Sequence, residues 1–364
     1  MHYSLTFSRY VARNFLIAFA SAFLIFLVIV FIADFVELMR RTAGKEDITF
    51  SLLMGMALLR LPGLGTQVLP FSILLGAMFA LMRMNRSHEL VVARAAGVSV
   101  WQFLAPPILV AFLIGVGAVT VYNPVSAALT ARYEALEAKF IRGRSSLLAV
   151  SSTGLWLRQA DPNGKSVVHA LRVSELGVRL EDVILLLYDA NDTFTGRIDA
   201  RSATLRDGYW DLKDVWISNV DGQPSYQESY RQPTTLTPVQ VQESFAQPDT
   251  ISFWALPHFI EMAEAAGFSA KIYRIHLHSL LSSPLLYATM VLLAAAFSLR
   301  ISRFGGLGQL VLGAIMAGFL LFFLTRLSLA LGGSGLIPAF LAAWAPAIIA
   351  SFLGLAVLLH LEDG

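Results

Sequence analysis

Apolar residues along this chain come in long blocks, broken once by a stretch of short alternating runs. Phe15–Ala33 carries no charge. A bilayer core of about 30 Å needs about 20 apolar residues in a helix, so this block is long enough to span. Leu52–Met82 holds 31 residues, with Arg60, Pro62, Gly63, Gly65 and Pro70 inside it. It reads as one long, kinked span of about 46 Å. Val98–Tyr122 is a third span, with Pro106-Pro107 near its start. Ser279–Leu299, Leu307–Leu331 and Leu336–Leu361 follow after the polar stretch.

Between the triplets the period changes. Leu155-Trp156-Leu157, Val167–Val173, Val183–Tyr188, Arg197–Leu205 and Trp210–Val220 are short runs separated by turn residues. Asp161-Pro162-Asn163-Gly164, Asp207-Gly208 and Asp221-Gly222 are hairpin signals. Strands spaced about ten residues apart suggest a sandwich or jelly roll. Residues 252–267 instead recur at helical spacing (Phe253, Leu256, Ile260, Ala263, Ala266) and predict an amphipathic helix. The fold class is therefore an α-helical integral membrane protein. Six transmembrane helices, three and three, flank an inserted all-β, jelly-roll-like domain. The expected divisions are 1–135 with a short helix near 84–97, then 136–250, then 251–364.

Composition sharpens this picture. Of 364 residues, 56% are apolar and 14% charged, against about 25% charged in a soluble domain. Residues 131–275 hold 18 of the 25 acids, so the middle reads as solvated and the rest as lipid-embedded. A net charge of +2 is no nucleic-acid signal. With the N-terminus inside, Arg9, Arg13, Arg83, Arg86, Arg94, Arg300 and Arg303 flank the inner ends. Arg40, Arg41 and Lys45 stand at the outer end, against the positive-inside rule. That orientation puts both termini and loop 83–97 inside, and the β insert outside.

The chain has no cysteine, which removes thiol nucleophiles and Cys-based zinc sites. Asn163-Gly164-Lys165-Ser166 imitates the end of a phosphate-binding loop, but Gln159 stands where glycine is needed. His276 and His278 sit two apart, on different helix faces, and fit interfacial histidines better than a metal site. No catalytic constellation stands out, so the chain is expected to be neither an enzyme nor a cofactor carrier.

Two groups of residues invite function. On loop 83–97, Ser87 is placed to cap a helix of about ten residues that Gly97 would close, with Glu89 in its first turn. Leu90, Val91, Ala93 and Ala95 form an apolar surface on that helix. It reads either as an interfacial helix or as a plug for a partner's groove. The second group is ionisable and near lipid, where unpaired charge is costly. Asp34, Glu37, Arg40 and Arg41 end span 1, Arg60 lies in span 2, and Arg326 lies in span 5. Internal pairing would join Asp34 or Glu37 to Arg60 or Arg326. The alternative is a basic rim for anionic groups, since guanidinium binds phosphate in bidentate fashion. Phe35 and Phe322 would wall such a site.

The stretch Ser87-His-Glu-Leu-Val-Val-Ala-Arg-Ala-Ala-Gly-Val-Ser99 resembles the lipopolysaccharide export permeases, the LptF/LptG family. So do Arg9-Tyr10, Leu69-Pro70, Asp34-Phe-Val-Glu-Leu-Met-Arg-Arg41 and Gly335-Leu-Ile-Pro with Ala342-Ala-Trp-Ala-Pro346. The resemblance covers essentially the whole chain, and the end of span 1 is more similar to the LptG branch. It implies a bacterial inner-membrane subunit with a periplasmic β domain. It implies an LptF-like permease as heterodimer partner and an LptB-like ATPase dimer. It further implies an LptC-like bitopic subunit, an LptA-like β-bridge, and lipopolysaccharide as cargo. Glu89, with Arg86, Leu90, Arg94 and Gly97, falls in the family's coupling helix. Arg40 and Arg41 fit its basic cavity lining, whereas Asp34 departs from it. An alternative role is mechanotransmission, coupling ATP hydrolysis to a periplasmic partner without moving lipid.

Overall fold

The computed structural model describes residues 5–43, 48–141, 148–151, 154–161, 164–174, 179–189, 193–219, 222–234, 247–265, 269–299 and 307–363. Lys45, Pro162, Asn163, Val220, Asp221, Ala266, Arg300 and Arg303, noted above, lie outside the described residues. The described helices are α1 (Leu5–Thr42), α2 (Phe50–Arg86), α3 (Glu89–Ala95), α4 (Val100–Gly117), α5 (Asn123–Leu136), α6 (Leu256–Ala265), α7 (Lys271–Ser298), α8 (Leu307–Ser334) and α9 (Ala339–Asp363). Among the described residues, six stretches are long and apolar enough to cross a membrane: Thr6–Thr42, Phe50–Arg86, Val100–Ile141, Lys271–Ser298, Val311–Ser334 and Ala339–His360.

The chain divides into two compact units. The first holds Met1–Leu136, Asp249–Trp254 and Arg274–Gly364; the second holds Glu137–Pro248 and Ala255–Tyr273.

In the first unit α2 is the central element, with 67% of its most apolar window buried against 11% for the first span and 17% for the fifth. Phe15, Leu69, Ile73, Leu74, Met78 and Met290 centre its core. The crossings depend on missing side chains. A Cβ at Gly76 would lie 2.6 Å from Phe19 Cα, and one at Gly115 would lie 2.5 Å from Pro284 Cα. Only glycine lets those backbones approach so closely. Helix α2 runs through both Pro62 and Pro70. The third span continues past Tyr122 to Ile141, by way of π-helical turns at Ala118–Tyr122 and Glu137–Ile141. From the first of these turns the Tyr122 hydroxyl donates to the Pro62 carbonyl at 3.0 Å, tying span 3 to span 2. The Asn123 side chain accepts from Phe253 N at 2.7 Å and so anchors the returning segment.

The second unit carries one antiparallel sheet of seven described strands in sequential order: β1 (Leu148–Ser151), β2 (Gly154–Asp161), β3 (Gly164–Ser174), β4 (Arg179–Tyr188), β5 (Phe194–Arg206), β6 (Tyr209–Asn219) and β7 (Ser225–Pro233). One face forms an apolar interior in which Leu155, Leu180, Leu185, Ala203, Trp210 and Leu212 are buried. A flat sheet would leave one such face to solvent, so this sheet must curl over its own interior.

The register shows how it curls. Leu171, Asp182, Arg201, Asp214 and Glu228 fall in one row across β3–β7 that is skipped by the ladder pairing on every strand. Asp182 and Asp214 there take φ of 53° and 52°. Inward positions step by two on either side of the row but by three across it, as in Ala200 to Ala203 and Leu212 to Val215. This crease keeps both halves of each strand facing one core. A buried polar clip accompanies it. Gln159 accepts from Trp210 Nε1 at 3.1 Å and Thr234 Oγ1 at 2.7 Å, and donates to Ser166 Oγ at 2.8 Å.

Candidate functional site

The end of α1 that leads into α2 gathers the charged residues singled out above. Asp34 sits on the face turned toward α2, and its Oδ1 lies 2.7 Å from Arg60 Nη1. The Arg60 guanidinium also stands 5.2 Å from the centre of the Tyr133 ring, with Nη1 3.4 Å from its hydroxyl. Spans 1, 2 and 3 thus meet at one ion pair capped by an aromatic face. Tyr133 is 73 positions from Arg60, and no local pattern marks it as a partner.

One turn further along α1, Glu37 faces outward. Its carboxylate accepts from Arg40 Nε at 2.8 Å, from Arg40 Nη2 at 3.1 Å, and from Arg41 Nε at 2.8 Å. Offsets of three and four residues place all three side chains on one helix face. Two guanidinium groups converging on one small anion form the geometry that a phosphate also fits.

Arg326 is placed differently. It pairs with no carboxylate among the described residues and folds over Phe322, 5.2 Å from its ring centre. Phe322 in turn packs on Phe71 at 5.4 Å. Phe35 stacks on Phe31 at 6.0 Å and meets Phe50 edge-on at 5.9 Å. Of the pairings open in the sequence, the structure joins Asp34 to Arg60 and leaves Glu37 to its own helix. An open groove of about 530 Å³ lies between α2 and α5, lined by Leu52, Met56, Leu58, Leu59, Leu129 and Leu136 among others.

The second group lies at the other end of α2, about 55 Å along a 37-residue helix. Ser87 closes α2 instead of capping α3: its N–H donates to Arg83 O. His88, at φ 61°, makes the reversal, and α3 is only seven residues long. A capping residue needs an extended backbone, and a two-residue turn between helices leaves no room for one. Ser87 keeps a polar role, since its hydroxyl donates to Glu89 Oε1 at 2.8 Å.

Leu90 is 2% exposed and packs with Val11, Leu81, Met84, Phe103 and Leu358. Val91, Val92, Arg94 and Ala95 point outward, and so does Arg86 on the turn before. Gly97, at φ 86°, ends the loop where a side chain would be strained. Ser99 and Gln102 then start α4 with a reciprocal capping box. Between α3 and the start of α1 lies a cavity of about 620 Å³, lined by Phe7, Tyr10, Val92, Ala93, Ala96 and Glu89 among others. Glu89 Oε2 is buried beside it, with no hydrogen-bond partner among the described residues.

Long apolar helices, two of them weakly covered, with an inserted antiparallel β unit define a multi-span membrane protein that carries a β domain. The profile of the lipopolysaccharide export system permease LptF/LptG matches residues 9–360, and the chain belongs to that family. Two relatives are the lipopolysaccharide export system permease proteins LptG of Escherichia coli strain K12 and of Escherichia coli O6:H1 strain CFT073. Each is 25% identical over 276 residues, covering 71% of this chain and 71% of the relative.

Proposed function

We propose that this chain is one permease half of an ATP-driven exporter that lifts lipopolysaccharide out of the outer leaflet of the inner membrane. The Arg40–Glu37–Arg41 fork carries this reading, because it stands at the end of a span whose apolar face is uncovered. A bare apolar face on the first and fifth spans suits a second permease of LptF type, with lipid entering between span 1 of one subunit and span 5 of the other. Acyl chains would lie on the exposed apolar side chains of those spans. Phosphates would take the place of Glu37 between Arg40 and Arg41, with Arg326 as a further cation.

Energy would come from an LptB-like ATPase docked on α3. Glu89 faces the cavity, Val91 and Val92 present the apolar contact, Arg86 and Arg94 frame it, and Leu90 fixes the helix to the bundle. Closure of the ATPase would then move the bundle rigidly and collapse the lipid site. This chain supplies no catalytic group in that scheme. Both termini would be cytoplasmic and the β unit periplasmic, pairing edge to edge with LptC-like and LptA-like β domains.

The test is a photocrosslinker at Phe35 or Phe322 in cells. Trapped lipopolysaccharide is the expected result, and its absence would overturn the transport reading in favour of a subunit that transmits force alone. Glu89→Lys should abolish co-purification of the ATPase or uncouple hydrolysis from transport.

A further inference from the structure

The outer face of the β sheet carries a feature that neither its core nor the transport scheme uses. The ladder register sets Trp156, His169, Ile184, Asp199, Trp216 and Tyr226 opposite one another in a single row across β2–β7. All six face away from the buried cluster, which holds their strand neighbours Leu155, Leu157, Val168, Ala170, Val183, Leu185, Ile198, Ala200 and Val215. Trp156 is 39% exposed, and Trp216 and Tyr226 are each 52% exposed. Large aromatics left open in a row need a reason, since the fold gains little from them there.

The row has two aromatic shelves, with Ile184 and Asp199 between them. Trp156 and His169 lie with ring centres 4.1 Å apart, and Trp216 and Tyr226 lie 5.4 Å apart. Tyr226 is held in place by donating to Asp214 Oδ1 at 3.1 Å. In the gap, Asp199 accepts from Arg197 Nε at 3.0 Å, and both side chains remain open to solvent. From β2 to β7 the row crosses five strand spacings, about 24 Å.

We infer that this row is a saccharide-binding platform for the sugar portion of the exported lipid. Pyranose rings have a C–H face that stacks on aromatic rings and a rim of hydroxyls that bonds to carboxylate and guanidinium. The sheet offers aromatic faces at both ends of the row and the Asp199–Arg197 pair between them, over a length that suits several sugars end to end. Its charge also fits: Arg197 and Asp199 offset one another, leaving a neutral polar pair whose nitrogens and oxygens can bond hydroxyls. A protein partner fits less well, because interface cores are depleted in charge and Asp199 stands mid-row. The identity of the saccharide rests on the transport reading: acyl chains sheltered on apolar surface leave the sugars of an amphiphile to be held elsewhere.

The experiment is saturation-transfer NMR on the purified full-length protein. The probes are lipid-free oligosaccharide released from lipopolysaccharide by mild acid and, as comparison, a peptidoglycan disaccharide. Transfer to the oligosaccharide is expected, falling at least about fivefold in Trp156→Ala and in Trp216→Ala. Trp216→Tyr should keep it. Both sites are exposed, so loss of folding is not the expected outcome, and Trp216→Tyr controls for it. The inference is overturned by no transfer to the wild-type protein, equal transfer in the alanine variants, or stronger transfer to the disaccharide. It is equally overturned if the alanine variants lose a co-purifying protein and keep the sugar. If crosslinkers trap lipid in the spans while no oligosaccharide binds, this inference fails alone. If oligosaccharide binds while no lipid is trapped, the transport reading fails instead.

Discussion

Asp34 Oδ1 and Arg60 Nη1 lie 2.7 Å apart on adjacent spans, with the acid nearly buried and the base one-third exposed. Removing one partner of such a pair leaves the other charged and poorly solvated. Asp34→Ala should therefore destabilise the protein by about 2–3 kcal/mol, less than the roughly 3–5 of a fully buried pair because Arg60 reaches solvent. The double variant Asp34→Arg with Arg60→Asp should recover most of the loss. Thermal unfolding of the purified protein in nanodiscs reads both, and a swap no better than the single variant would refute the pairing.

Glu37 should behave differently. It is exposed with both arginines, so Glu37→Gln is expected to change stability by less than about 0.5 kcal/mol. Lipid retention should rise, because phosphate no longer competes with a resident carboxylate. Native mass spectrometry of the detergent-extracted protein measures this. Unchanged retention would remove the Arg40–Arg41 fork from the binding site.

Leu90 and Val92 separate anchoring from docking on α3. Leu90 is buried, so Leu90→Ala should cost about 2–4 kcal/mol and weaken ATPase association through misplacement of the helix. Val92 is 66% exposed, so Val92→Ala should leave thermal stability unchanged and weaken association directly. Parallel unfolding and co-purification distinguish the two.

Gly76 and Gly55 lie on the same helix in opposite circumstances. A Cβ at Gly76 would strike the Phe19 backbone at 2.6 Å, whereas nothing lies within 4 Å of one at Gly55. Gly76→Ala should sharply reduce the yield of folded, monodisperse protein. Gly55→Ala should match wild type by size-exclusion chromatography.

In the β unit, Gln159→Leu would leave Trp210 Nε1 and Ser166 Oγ without their buried partner. A loss of about 1–3 kcal/mol is expected. Tryptophan fluorescence during denaturant unfolding of the full-length protein would register it.

The six spans and the all-β insert were legible in the chain before any coordinates, because both follow from periodicity and length, which are local. The sequence also drew attention to Asp34, Glu37, Arg40, Arg41 and Arg60, since charge in or beside an apolar run is visible without coordinates. The β register was partly legible: Gly208, at φ 86°, makes the expected Asp207-Gly208 turn. Pairing was a matter for tertiary structure. Asp34 and Glu37 are three residues apart and chemically alike, yet one faces α2 and Arg60 while the other holds Arg40 and Arg41. Helix rotation decides this, and a window that is apolar on every side carries no phase. Ser87 shows the same limit, because its role depends on where α2 stops. The outer aromatic row depended most on the fold: its six members span 71 positions and become neighbours only when the strands pair.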